Sequence, residues 1–454
     1  MEKHADFSKG KLFPLILKFS IPASISLLIT AIYNIVDRIF VGNFVGNTAL
    51  AALSICFPLS FIMIAFGLMC SAGGSTLFTL FRGKNDEVSA NLSFGNAFTM
   101  TVIFEVLLTL VLLFFSNTFL KIFGVTETTY DLSLKYYLIV SFGCVFQGLT
   151  LVLCDFVRVS GNPILGMAVT GIGAITNIIL DAIFVVALGW GVEGAALATV
   201  IGQVVSMVFG LYLVFTNRTL VKVNKNIFKI NKGISNRVLS CGFVFWIAQI
   251  AMGFIALVYN SQLGKYGGDI AISVYAVISS IMTFVIMPAS GISQGIQPII
   301  GFNYSAGYGN RVKETFIKAS LLSVGVTTVI WVIVESMPAL IINTFGGGSE
   351  LLDIGVIALR LNFIITPVLG FVMLATTFFQ SIGKPTASSI ITLIRQVVAL
   401  IPFIFILPRL FDINGIFVAQ PISDFIALIL SIILIKVEFS NLSINVSNSE
   451  LKEA

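Results

Sequence analysis

Six carboxylates interrupt the apolar stretches of this 454-residue sequence: Asp37, Glu105, Asp155, Asp181, Glu335 and Asp424. In a run that crosses a bilayer, each such group costs at least ~2.5–3.5 kcal/mol on insertion scales and so needs a reason. Two of them are spaced to act together. Asn34 precedes Asp37 by three residues and Asn177 precedes Asp181 by four, so in a helix each amide shares a face with its carboxylate. Two carboxylates close together in a poorly solvated pocket cannot both stay ionised cheaply, and such a site takes up a proton or an oxygen-coordinated cation. The other acids invite plainer readings. Asp155 and Glu335 lie near the ends of their runs, within reach of water or headgroups, and Glu105 is expected to hydrogen-bond a neighbouring helix. Asp424, with Arg360 and Arg395, is expected to form a charge pair that holds the second half together.

These residues need long apolar elements to carry them, and the composition supplies them. Apolar residues make up 57% of the chain and charged residues 10%, against roughly 25% charged in a soluble globular chain. The net charge of +5 lies in short segments between apolar runs rather than on one face, which argues against nucleic acid. Cys56, Cys70, Cys144, Cys154 and Cys241 are odd in number and all lie inside apolar runs, with no CxxC spacing, so neither a disulfide framework nor a zinc site is expected. The sole histidine, His4, lies in the N-terminal tail. No Gly-Lys pair is followed by Ser or Thr, so there is no P-loop. No cofactor is expected, and a pump built this way must run on a gradient.

Stretches of about 20 residues or more, enough for a hydrocarbon core of ~30 Å, fall at 12–40, 49–80, 91–115, 132–157, 163–188 and 192–215, and again at 236–263, 270–300, 314–337, 354–381, 386–407 and 414–436. The fold expected is an all-α membrane protein of twelve transmembrane helices in two six-helix lobes. Its parts are an N-lobe at 1–215, a polar, basic linker at 216–235 read as a solvated loop, and a C-lobe at 236–454 with a short tail. Lys3, Lys9, Lys11, Arg82, Lys84, the linker cations, Arg311, Lys313 and Lys384 share one side of this scheme, and little beyond Lys121, Lys265 and Arg409 lies on the other. The positive-inside rule then makes both termini cytoplasmic. Gly161-Asn162-Pro163 matches Gly383-Lys384-Pro385, Gly194 matches Gly415 and Ala198 matches Ala419, an offset near 221. With an even number of spans in each half, these are parallel repeats about a pseudo-two-fold axis along the membrane normal.

Topology also sets heights. Helix one and helix five both run outward, with Asp37 near the outer end of the first and Asp181 about 27 Å along the fifth; Thr199 lies roughly 10 Å down helix six from its outer end. Two carboxylates, two amides and a hydroxyl can therefore converge in the outer half of the first lobe. Helical position alone leaves two readings open, this cluster or two aspartates that each bond their own surroundings.

Several motifs are similar to those of the multidrug and toxic compound extrusion (MATE) transporters, particularly their MepA-like branch. They are Asn34-Ile-Val-Asp37-Arg-Ile-Phe-Val-Gly42, Arg158-Val-Ser-Gly161-Asn-Pro163, Asn177-Ile-Ile-Leu-Asp181, Gln297-Pro298-Ile-Ile-Gly301-Phe-Asn303-Tyr-Ser-Ala306-Gly307, Phe379-Gln380-Ser-Ile-Gly383-Lys-Pro385 and Arg395-Gln396. The resemblance implies a bacterial inner-membrane antiporter, working as a monomer, that exports amphipathic and often cationic drugs and dyes against H⁺ or Na⁺. It also implies that Asp37, Asn177, Asp181 and Thr199 couple the cation, with Asn34 in support. Substrate contacts stay unassigned. Some members carry a sodium site of a Glu in helix seven and an Asp in helix ten. Apart from Asp353 at an entrance, this chain has no acid in either helix, which favours H⁺. The rival reading is a flippase for polyprenyl-linked saccharides or lipid precursors; its expected fourteen spans or clustered arginines are not found in this sequence.

Overall fold

The structure, a computed structural model, describes residues 7–344 and 348–453; Lys3 and His4 lie outside the described residues. Among these residues it is nearly all helix, with no strand. The first half contains α1 (Leu12–Phe44), α2 (Asn47–Gly83), α3 (Glu87–Phe114), α4 (Ser116–Ile122), α5 (Tyr130–Phe142), α6 (Cys144–Val159) and α7 (Pro163–Asp181). A π-helical turn, Ala182–Ala187, extends α7, and α8 (Gly191–Phe215) follows. After a short 3₁₀ helix at Lys225–Phe228 come α9 (Lys232–Ser305, broken at Gly268), α10 (Gly309–Ser336), α11 (Pro338–Thr344), α12 (Gly348–Phe363) and α13 (Thr366–Ser381). The chain ends with α14 (Pro385–Leu393), a second π turn (Ile394–Ala399), α15 (Leu400–Ile406) and α16 (Pro408–Glu453, broken at Asp412).

Among the described residues, ten helical stretches are long and apolar enough to cross a membrane. Two bent pairs, α5 with α6 and α12 with α13, each turning by 44°, bring the number to as many as twelve when each pair is counted as one span. The fourth and tenth spans were expected as single helices and are instead broken. The first break falls at Gly143, a residue that weakens a helix interior by about 1 kcal/mol relative to Ala. The second precedes Pro367, in the first turn of α13, which has no N–H to carry the hydrogen bonding of α12 onward.

The chain forms two compact units. Ile25–Ile250 makes the first, and Phe7–Ser24 with the chain from Ala251 onward makes the second. The repeat is visible in local geometry. Gly161 at φ 95° and Gly383 at φ 75° each turn the chain through the left-handed region, and in both cases a proline opens the next helix two residues later.

The linker is not a solvated loop throughout. Ile227 is buried, and Thr99 of α3 donates to Phe228 O at 3.0 Å. Asn96 Oδ1 accepts from Asn231 N at 2.7 Å and from Ser235 Oγ at 2.8 Å. The Phe228 ring lies 5.5 Å from that of Phe98. The expected polarity is correct for the lysines, but Ile227 and Phe228 anchor the segment on the first turns of α3. Asp86 caps that helix through Ser89, and hydrogen bonding from Ser89 holds its carboxyl below the ordinary range.

Candidate cation-coupling site

Glycines bring α7 and α8 together. A Cβ on Gly202 would lie 2.8 Å from Gly173 O and 3.2 Å from Asn177 Cβ, so the two backbones cross almost in contact. That approach lets Asn177 Nδ2 donate to Thr199 Oγ1 at 3.3 Å. Asp181 follows Asn177 by one turn and is the last α-helical residue before the π turn, a local irregularity common at functional sites.

Asp181 is fully buried, Asp37 and Asn177 nearly so, and Thr199 half-buried. The Asp37 and Asp181 carboxyls are within electrostatic reach of each other. Asp37 Oδ1, Asn177 Oδ1 and both Asp181 oxygens are buried without a hydrogen-bond partner. Leaving such groups unpaired costs ~1–3 kcal/mol each and more when charged, so the first unit holds this acceptor set at the expense of stability. Carboxyl, amide and hydroxyl oxygens suit a proton or a hard monovalent cation.

Asn34 does not join the others. It is exposed, and its amide donates to Thr30 O of its own helix at 2.7 Å. Two residues absent from the sequence reading do approach Asp37, namely Tyr33 on α1 and Tyr136 on α5. Tyr33 stands four residues before Asp37, a spacing that signals a shared face. Tyr136 carries no such signal, because its position depends on how α5 packs between α2 and α8.

The remaining acids differ in their surroundings. Asp155 accepts from Ser71 Oγ at 2.6 Å and from Arg158 at 2.9 Å. Glu335 lies 3.8 Å from Arg360. Asp424 pairs with Arg395 Nε at 2.6 Å and also accepts from Gln420 at 3.0 Å, while Ser423 Oγ donates to Arg395 O. Arg360 thus pairs with Glu335 rather than with Asp424. Glu105 meets the neighbouring helix α2 at the Gly67 backbone, but neither of its buried oxygens makes a well-formed hydrogen bond.

A family model described as MatE matches residues 22–183 and again residues 245–406, the second match displaced by 223 residues. The displacement agrees with the repeat expected from the sequence. Among curated proteins, "Multidrug export protein MepA" of Staphylococcus aureus (strain MSSA476) is 26% identical over 442 residues, covering 97% of each chain. The protein of the same name from Staphylococcus saprophyticus is 25% identical over 410 residues, covering 90% of each. A solved structure described as a MOP superfamily transporter from Pyrococcus furiosus superposes with a TM-score of 0.91 at 23% identity, over 97% of this chain and 100% of that one. Another, described as the outward-facing conformation of a multidrug resistance MATE family transporter, gives 0.90 at 23% identity over 97% and 99%.

Proposed function

This chain belongs to the MatE family of multidrug efflux transporters, and we propose that it exports amphipathic, often cationic compounds across a bacterial inner membrane in exchange for protons. The observation that carries the reading is the set of unpartnered oxygens from Asp37, Asn177 and Asp181 in one unit, with Thr199 alongside. A buried pair of carboxyls without a counter-cation is stable only when it binds positive charge. Binding that charge favours whichever conformation shields the site better, and a ligand shifts a two-state equilibrium only by its differential affinity for the two states.

Na⁺ is the alternative occupant of the same oxygens. H⁺ is preferred because the seventh span carries no acid and the tenth carries none past Asp353 at its entrance. The functional lobes in this reading are 1–215 and 236–454, joined by 216–235, in a protein that works as a monomer with both termini cytoplasmic. Name and coverage of the staphylococcal relatives support the substrate class.

The decisive experiment reconstitutes the purified chain in liposomes and follows ethidium under an imposed ΔpH or an inward Na⁺ gradient separately. Transport under ΔpH alone is expected. Transport only under the Na⁺ gradient would reassign the ion, and no ethidium movement under either would remove the exporter reading. Cysteines placed at Lys225 and at Thr128 should label from opposite faces; labelling of both from outside would overturn the orientation.

A further inference from the structure

Glu105 has no role in the site described so far. It lies on α3, is 0% exposed, and neither carboxyl oxygen has a hydrogen-bond partner. It rests on a crossing of α2 and α6 where the backbones nearly touch. A Cβ on Gly67 would fall 2.8 Å from Gly148 Cα and 3.3 Å from Glu105 Oε1, and one on Gly148 would fall 2.9 Å from that same oxygen. Two absent side chains thus make the room that the carboxyl fills.

Its depth matches that of the acid cluster. Glu105 stands 18 residues after Glu87 at the start of α3, and Asp181 stands 18 residues after Pro163 at the start of α7, about 27 Å in each case. The two starting points are tied to one short segment: Asn162 donates to Arg218 O at 2.8 Å, and Lys222 N donates to Asn91 Oδ1 at 2.8 Å. Gln203 of α8 adds a further buried acceptor without a partner: its Oε1 would sit 2.5 Å from a Cβ on Gly143. The titratable groups facing Glu105 are thiols, Cys70 of α2 and Cys144 of α6. Tyr137 of α5 turns its hydroxyl to Leu112 O at 3.1 Å. No Lys or Arg among the described residues acts on the carboxyl.

An ionised carboxylate so placed would bear a cost of desolvation that no cation offsets, with only the Gly67 backbone beside it, and such groups neutralise instead. A merely space-filling residue at this crossing needs no carboxyl, since an apolar side chain of similar volume packs there without an unpaired polar atom. We propose that Glu105 is a second proton-exchanging carboxyl of the first unit, set over the Gly67–Gly148 crossing at the depth of the Asp37–Asp181 cluster. It holds a proton while the unit is closed to water and gives it up when a conformational change hydrates the crossing. No bond other than O–H forms or breaks.

The proposal rests on the proton-antiport reading, so the test runs Glu105→Gln beside Asp181→Asn in the full-length reconstituted protein. Infrared spectra should show a protonated-carboxyl C=O band near neutral pH that is lost in Glu105→Gln and displaced, not lost, in Glu105→Asp. Protons exchanged per ethidium should fall in Glu105→Gln and return to the wild-type ratio in Glu105→Asp. If Glu105→Gln keeps both the band and the wild-type ratio, the proposal is overturned, whatever Asp181→Asn does. If Asp181→Asn keeps normal coupling while Glu105→Gln loses the band and lowers the ratio, the cluster reading fails and Glu105 stands. Should Glu105→Gln not fold, an undisplaced band in Glu105→Asp overturns the assignment by itself.

Discussion

The fifth and sixth spans of one repeat and the eleventh and twelfth of the other meet at corresponding points in different ways. Counted from Pro163 and Pro385, Gly173 and Arg395 both stand ten residues along; counted from Gly194 and Gly415, Gly202 and Ser423 both stand eight along. In the first unit the meeting point is glycine on glycine. In the second, Arg395 pairs with Asp424 while Ser423 bonds the Arg395 carbonyl. The same architecture therefore carries a close backbone contact beneath unpaired acids in one unit and a satisfied ion pair in the other. The Asp424 carboxylate has its charge matched by Arg395, whereas Asp37 Oδ1 and both Asp181 oxygens have no hydrogen-bond partner. We propose that ion coupling is concentrated in the first unit while the second keeps its charge for cohesion.

The largest expected effect tests that division of roles. Asp181→Asn and Asp37→Asn should each abolish ΔpH-driven ethidium efflux from liposomes while expression and thermal unfolding of the purified protein stay near wild type. The amide keeps the volume of the side chain but cannot exchange a proton at neutral pH. If Asp424→Asn removes coupling as completely, without loss of stability, the comparison collapses.

Next in size is the ion pair itself. Asp424→Ala leaves Arg395 without its carboxylate, which costs ~3–5 kcal/mol for a buried pair. Arg395 keeps 19% exposure, so the lower end of that range is expected, read as a drop in unfolding temperature. The double variant Arg395→Met with Asp424→Leu should recover most of it. A double variant as unstable as the single one would give the pair a role beyond mutual neutralisation.

The glycine crossing should respond more moderately and only on one face. A Cβ at Gly173 meets Ser206 Oγ and lies 2.6 Å from Gly202 O, so Gly173→Ala should cost about 1–3 kcal/mol through forced separation of the helices. On the same helix, a Cβ at Gly171 meets only Ile29 Cδ1 at 3.9 Å, and Gly171→Ala should leave the unfolding temperature near wild type. Equal effects at the two positions would show that the contact is not selective.

The smallest effect belongs to the hydroxyl beside the acids. Thr199→Val removes the acceptor for Asn177 and should cost about 0.5–1.5 kcal/mol, with slower efflux that Thr199→Ser restores. An unchanged rate in Thr199→Val would confine the coupling oxygens to Asp37, Asn177 and Asp181.

The span number, the repeat and the positions at which acids interrupt apolar runs were all legible in the residues, because hydropathy, turn chemistry and charge asymmetry act locally along a chain. The shared height of Asp37, Asp181 and Thr199 followed from counting along helices. Rotation about those helices was not legible. Lipid is as apolar as a helix interface, so composition does not tell which face meets a neighbour, and small residues at close crossings decide it. Hence Asn34, three residues from Asp37, turns to Thr30 O, and Tyr136 approaches Asp37 from another helix. For the same reason only the packed structure separated the acids, giving Asp155 and Asp424 their cationic partners and leaving Glu105 without one. It also decided the fate of the linker, because Ile227 and Phe228 are two apolar residues among cations until α3 supplies a surface on which to bury them.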